Sequence, residues 1–128
     1  MGQKFLMDTN IIIDYTADKL DNEASDFVEN IFNTDFTISV IAKIEVLSYN
    51  EVQQKMQLLE EFLQTATVLP LNEAITQQTI MLKRQHKMKL GDAVIAATAL
   101  VYNHTLITRD FNDFKNIKGL TLINPWQL

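Results

Sequence analysis

Five short apolar runs recur along the chain, at Phe5 to Met7, Phe36 to Val40, Thr67 to Leu69, Thr105 to Thr108 and Thr121 to Ile123, and apart from the Thr37 and Ser39 of the second they are continuous and do not alternate with polar residues. A strand with one wet face shows that alternation. Its absence predicts strands covered on both faces, which is the situation of a parallel sheet. Between the runs the spacing becomes helical. Phe27, Val28, Ile31 and Phe32 share one helical face, with Asn22 as the start. Val52, Met56, Leu59 and Leu63 form a second face, and Asn72 after Pro70 suits the cap of a helix running to about His86, with Glu73 in its first turn. Ala93 to Leu100 is apolar nearly all round and small in side chain, as in a helix pressed closely onto a sheet. Strands alternating with helices specify an α/β sandwich with right-handed crossovers.

A chain of 128 residues that is 47% hydrophobic is long enough to bury a sizeable core and reads as one domain, 1–128. With 3 Gly and 2 Pro, and no Ser-rich linker or repeat, no internal boundary is expected. No apolar run approaches the roughly 20 residues of a membrane span, the first residues lack the layout of a secretory signal, and Leu6 stands where myristoylation of Gly2 wants Ser or Thr. A soluble, cytoplasmic protein is the expectation. The absence of Cys removes disulfides, thiolate zinc sites and thiol catalysis. A net charge of -5 argues against a protein that grips nucleic acid by bulk electrostatics. Charge is nevertheless local: Lys83, Arg84, His86, Lys87 and Lys89 fall in one short stretch, which otherwise reads as a solvated helix end.

Parallel α/β sheets gather ligands outside the carboxyl ends of their strands. Asp8 ends the first run, Glu45 lies in the helix after the second, Asp92 opens the small-residue helix and Asp110 follows the fourth run. Each acid has a plain explanation. Asp8, Asp92 and Asp110 suit caps or turns, and Glu45 suits an exposed face or an ion pair with Lys43. Convergence of all of them on one edge is harder to explain so. Ile41, Ile44, Val46 and Leu47 also surround Glu45 in sequence, and a carboxylate among apolar neighbours is unfavourable unless paired or metal-bound. Close carboxylates repel by about 1 kcal/mol per pair in water, and more in a cleft, so a cation is expected to offset them. Hard oxygen ligands select Mg²⁺ or Mn²⁺, and such a site suits phosphodiester hydrolysis.

The stretches M7-D8-T9-N10, Glu45, G91-D92-A93-V94-I95-A96-A97-T98-A99 and L106-I107-T108-R109-D110-F111-N112-D113-F114 resemble the PIN-domain ribonucleases, in particular the VapC-like toxins of bacterial toxin-antitoxin pairs. The resemblance covers essentially the full length. It implies a three-layer α/β/α sandwich around a central parallel sheet of about five strands, and endonucleolytic cleavage of RNA at an acidic Mg²⁺ or Mn²⁺ site. By position, Asp8, Glu45, Asp92 and Asp110 look like the catalytic, metal-binding acids, with Asp113 competing for the fourth place. Thr9 and Thr108 resemble hydroxyl positions that hydrogen-bond the acids or water, and Asn10 a supporting or turn residue. Lys43, Lys87, Lys89 and Arg109 lie near the motifs and are candidates for substrate phosphates. His86 and His104 read as ordinary surface residues. The resemblance further implies a homodimer and a small cognate antitoxin covering the cleft.

Other classes fit less well. A receiver-type phospho-acceptor domain wants an acidic pair at its first strand and a late Lys, whereas here M7-D8-T9 gives one acid and T121-L122-I123-N124 ends without Lys. A dehalogenase-type phosphatase wants a second Asp where Asn10 stands. A catalytically inactive binding module on the same fold is the remaining alternative. No Gly-rich loop or G-x-S-x-G elbow supports dinucleotide binding or a serine hydrolase.

Overall fold

A computed structural model describes residues 3–128, so the reading of Gly2 falls outside it. The elements are β1 (Phe5–Met7), α1 (Thr9–Thr16), α2 (Asn22–Thr34), β2 (Thr37–Ser39), α3 (Val40–Leu47), α4 (Gln53–Leu63), β3 (Thr67–Leu69), α5 (Glu73–Gln85), α6 (Leu90–Tyr102), β4 (Thr105–Ile107), α7 (Phe111–Phe114) and β5 (Leu122–Ile123), followed by a 3₁₀ turn at Pro125–Gln127. All strand pairs are parallel, in the α/β/α sandwich expected. The hydrogen-bonded ladder is divided, with β1-β4-β5 in one sheet and β2-β3 in the other, and β2 lies alongside β1.

Continuity of the apolar runs translates directly into burial. Leu6, Met7, Ile38, Leu106 and Ile107 are all at most 1% exposed, so neither face of the central strands reaches water. Helix α6 packs against both β2 and β4, and its Ala-rich sequence allows that close approach. A second cluster joins Tyr15, Phe32, Phe36 and Phe62, whose rings meet at centroid distances of 4.8 to 6.0 Å.

Several boundaries differ from expectation for local reasons. Helix α2 does start at Asn22, with Asp21 before it as the cap, its side chain accepting from Ala24 N. Val52 is the 69% exposed cap of α4 and takes no part in the face made by Leu59 and Leu63. Helix α3 begins directly at Val40, without a loop, because the Ser39 hydroxyl caps it through Ile41 N. Helix α6 begins at Leu90, ahead of the apolar run, so Asp92 sits inside its first turn and does not cap it. The Asn72 cap and Glu73 stand as expected, with Lys83 and Arg84 complementing the dipole at the other end of α5. The short α7 is held by Phe114, which is 1% exposed.

Candidate active site

Register sets the first part of the site. Met7 pairs with Ile107, so the residues just past those strand ends, Asp8 and Thr108, stand side by side. Asp8 Oδ1 accepts from Thr9 N at 2.8 Å and caps α1, while Oδ2 accepts from Thr108 Oγ1 at 2.7 Å and Asn10 Nδ2 at 3.1 Å. The cap and the site are therefore the same residue, using different oxygens. Asn10 Nδ2 also reaches Asp110 Oδ2 at 2.9 Å, its Oδ1 accepts from Arg109 N at 3.2 Å, and Thr108 Oγ1 accepts from Asp110 N at 3.0 Å. Asp8 and Asp110 are thus tied together through Asn10 and Thr108.

The second part lies across the cleft. Thr9 Oγ1 donates to Glu45 Oε1 at 2.6 Å. Glu45 is exposed, contrary to the burial inferred from its apolar sequence neighbours, because Ile44 itself points outward at 55% exposure. What marks Glu45 is its fit against Gly91: a Cβ there would lie 2.9 Å from Glu45 Oε2, so only glycine leaves room for the carboxylate in this position. Asp92 follows on the same turn, half-buried. Asp113, in the first turn of α7, acts on Asp92 more strongly than any other charged neighbour. Both candidates for the fourth acid are consequently present, Asp110 beside Asp8 and Asp113 beside Asp92.

Crowding and burial change the acidity. Asp8 is pushed up to about 6, chiefly by burial and further by the charges of Asp92 and Asp110, against the lowering effect of the Thr108 and Thr9 hydrogen bonds. Asp92 is also raised, first by burial and then by Asp113 and Glu45, with Lys89 pulling the other way. The donors here are all oxygens, a set that fits a hard divalent cation. Among the described residues, no three such side chains stand close enough together to hold one as they are.

The basic candidates divide. Lys87 and Lys89 line a cleft of about 370 Å³ shared with Asp92 and Asp113. Lys43 is exposed on α3 and does not line that cleft. Arg109 Nη1 pairs at 2.6 Å with Asp14, a carboxylate only 5% exposed, and comes within 3.9 Å of Asp110. Of the two histidines, His104 departs from the surface reading. His86 lines the same cleft, and His104 is half-buried before β4 with Nδ1 lacking a hydrogen-bond partner among the described residues, its pKa lowered first by burial.

Gly91 and Asp14 are the residues that sequence reasoning passed over. A glycine beginning an otherwise Ala-rich helix signals a close approach. The test of an acid among apolar neighbours, applied to Glu45, fits Asp14 in I11-I12-I13-D14-Y15.

The PIN domain family model matches residues 5–120. A toxin-antitoxin complex from Klebsiella pneumoniae contains a chain that is 28% identical, with a TM-score of 0.80 over 98% of this chain and 100% of that one. VapBC-1 from nontypeable Haemophilus influenzae gives 25% identity and a TM-score of 0.77 over 96% and 98% of the two chains. DNA-bound VapBC from Salmonella typhimurium shares the fold at a TM-score of 0.81 and 21% identity, covering 97% of this chain and 99% of that one. No curated protein sequence matches. The receiver and dehalogenase readings find no support in these likenesses. With the family model spanning nearly all of the described fold, the chain belongs to the PIN-domain family and resembles the VapC-like toxins within it.

Proposed function

We propose that this PIN domain is a Mg²⁺- or Mn²⁺-dependent endoribonuclease, the toxin of a toxin-antitoxin pair, acting in the cytoplasm. The observation that carries this reading is the gathering of Asp8, Glu45, Asp92, Asp110 and Asp113 around one edge of a parallel sheet, where burial and neighbouring charge raise the pKa of Asp8 and of Asp92. Such crowding is unfavourable without a cation. Asp8, Glu45, Asp92 and Asp110 are the metal-holding residues, with Asp113 reaching the same region from the α7 side. A divalent ion held there supplies a water of lowered pKa and stabilises charge on the phosphate oxygens. Thr9, Asn10 and Thr108 hold the carboxylates by neutral hydrogen bonds, fixing the lone pairs that face the cleft. Lys87 and Lys89 meet the substrate backbone, with Lys43 a further contact. Arg109, committed to Asp14, serves substrate less directly.

Likeness to toxin-antitoxin complexes supports a cognate antitoxin; that it covers the cleft, and that the chain forms a homodimer, is what the family resemblance implies. Exposed Ile44, Leu58, Ile80, Met81 and Leu90 offer apolar surface for such partners. Among the described residues, no helix is long and apolar enough to cross a membrane. Incubation with a mixed RNA pool and Mg²⁺ or Mn²⁺, beside EDTA and Asp8→Asn controls, tests the reading. Cleavage lost in both controls is the expected result. No cut across several RNA classes, from a folded protein, would leave the inactive binding module.

A further inference from the structure

The cleft beside Asp92 and Asp113 has three kinds of wall. Lys87 and Lys89 stand on the segment entering α6. Asn112 and Asn116, four residues apart on and just after α7, are exposed and present their side-chain amides to the cleft. Met88 and the buried Ile117 supply apolar surface. Lys83 Nζ donates to Met88 O at 2.7 Å, which ties the entering segment to α5. At about 370 Å³ the space lies within the range of ligand-sized clefts, roughly 300–1,000 Å³.

A single-stranded nucleotide carries the three matching parts: an anionic phosphate, a flat apolar face and a polar edge of donors and acceptors. Amides are suited to such an edge because each offers both a donor and an acceptor. A duplex would keep face and edge stacked and paired. We infer that this cleft seats one unpaired nucleotide of the RNA strand next to the cut, its phosphate at Lys87 and Lys89, its base against Met88 and Ile117, and its edge read by Asn112 and Asn116. The inference rests on the nuclease reading for the identity of the strand. It adds that cleavage is selective for a base adjoining the scissile bond.

The test uses the full chain in EDTA, where turnover is blocked, with fluorescein-labelled oligo(rA), oligo(rU) and oligo(rC) across a salt series. The variant K87A/K89A weakens binding to all three about equally, and flattens the slope of log Kd against log salt by roughly 1.4, about 0.7 for each phosphate contact. The variant N112A/N116A instead compresses the spread among the three affinities by at least about threefold. It also alters the base preference at the cut in the Mg²⁺ assay. An unchanged spread and slope in variants with parental melting temperatures overturns the inference. If wild-type protein then still cuts RNA, the nuclease reading survives alone. If the oligonucleotides respond as expected and no RNA is ever cut, the cleft stands and the nuclease reading falls.

Discussion

Around Asp8 and Asp110 nearly every polar atom is engaged: a backbone cap, two hydroxyl bonds and a bridging amide, with Asp8 itself only 4% exposed. Across the cleft, Glu45 has one hydroxyl partner, and Asp92 and Asp113 face each other with mutually unfavourable charge. One half is preorganised by neutral donors and fixed by strand register. The other is assembled from helix surfaces that meet only in the folded chain, and its like charges repel. The difference teaches that rigidity and charge tolerance are divided between the halves.

If both halves serve one metal-dependent reaction, Asp8→Asn and Asp92→Asn each reduce RNA cleavage by at least about 10³-fold, comparable with the loss of a principal electrostatic element. A large loss from one and a small loss from the other, measured as single-turnover rates, would break the pairing.

The preorganised half should also dominate the pH response of the metal-free protein. Asp8 ionises near 6 when folded and near 3.8 when unfolded, so the folded state binds the proton more tightly. Stability from this group is fully present below about 4 and is lost as pH rises through about 6, a change of about 3 kcal/mol. Denaturant midpoints at pH 4.5 and pH 7.5, corrected with Asp8→Asn, read it out. Mg²⁺ should raise the midpoint more at the higher pH, because protons compete with the ion for Asp8.

Thr108→Val leaves Asp8 Oδ2 short of a donor and Asp110 N short of an acceptor, so it destabilises by about 1–3 kcal/mol. Thr9→Val, whose partner Glu45 is exposed, costs under about 1 kcal/mol. Equal effects in urea melts would erase the contrast between the halves.

The smallest change in stability carries the opposite sign. Gly91→Ala removes a glycine from the first turn of α6 and raises stability by less than about 1 kcal/mol, yet displaces the Glu45 carboxylate and lowers cleavage by about tenfold. The shift is accommodated because the atom in the way is the end of a flexible side chain. A variant with unchanged cleavage and unchanged Mn²⁺ response would show that the fit between Gly91 and Glu45 is incidental.

Much of the fold was legible in the chain because continuous apolar runs have few alternatives. The five runs coincide with the five strands, and the Ala-rich stretch is the helix against the sheet. Asp8, Asp92 and Asp110 were found from their places relative to those runs. The burial expected of Glu45 does not occur, since its apolar neighbours in sequence do not enclose it, while the same signal at Asp14 marks a buried carboxylate paired with a residue near the other end of the chain. The start of α2 at Asn22 agrees with its pattern, whereas α6 starts at Leu90, two residues ahead of Asp92, because helical backbone extends beyond the apolar run that marks it.

The sequence by itself determined the class of fold, the edge at which acids collect and the hard-oxygen character of the donors, because periodicity and residue chemistry are local properties. Only the tertiary structure decided that Asp8 and Thr108 are partners, that Gly91 makes room for Glu45, that Arg109 is spent on Asp14 and that Asp113 joins Asp92. Those are contacts between distant segments. Their geometry is set by strand register and helix packing, which no single stretch of the chain encodes.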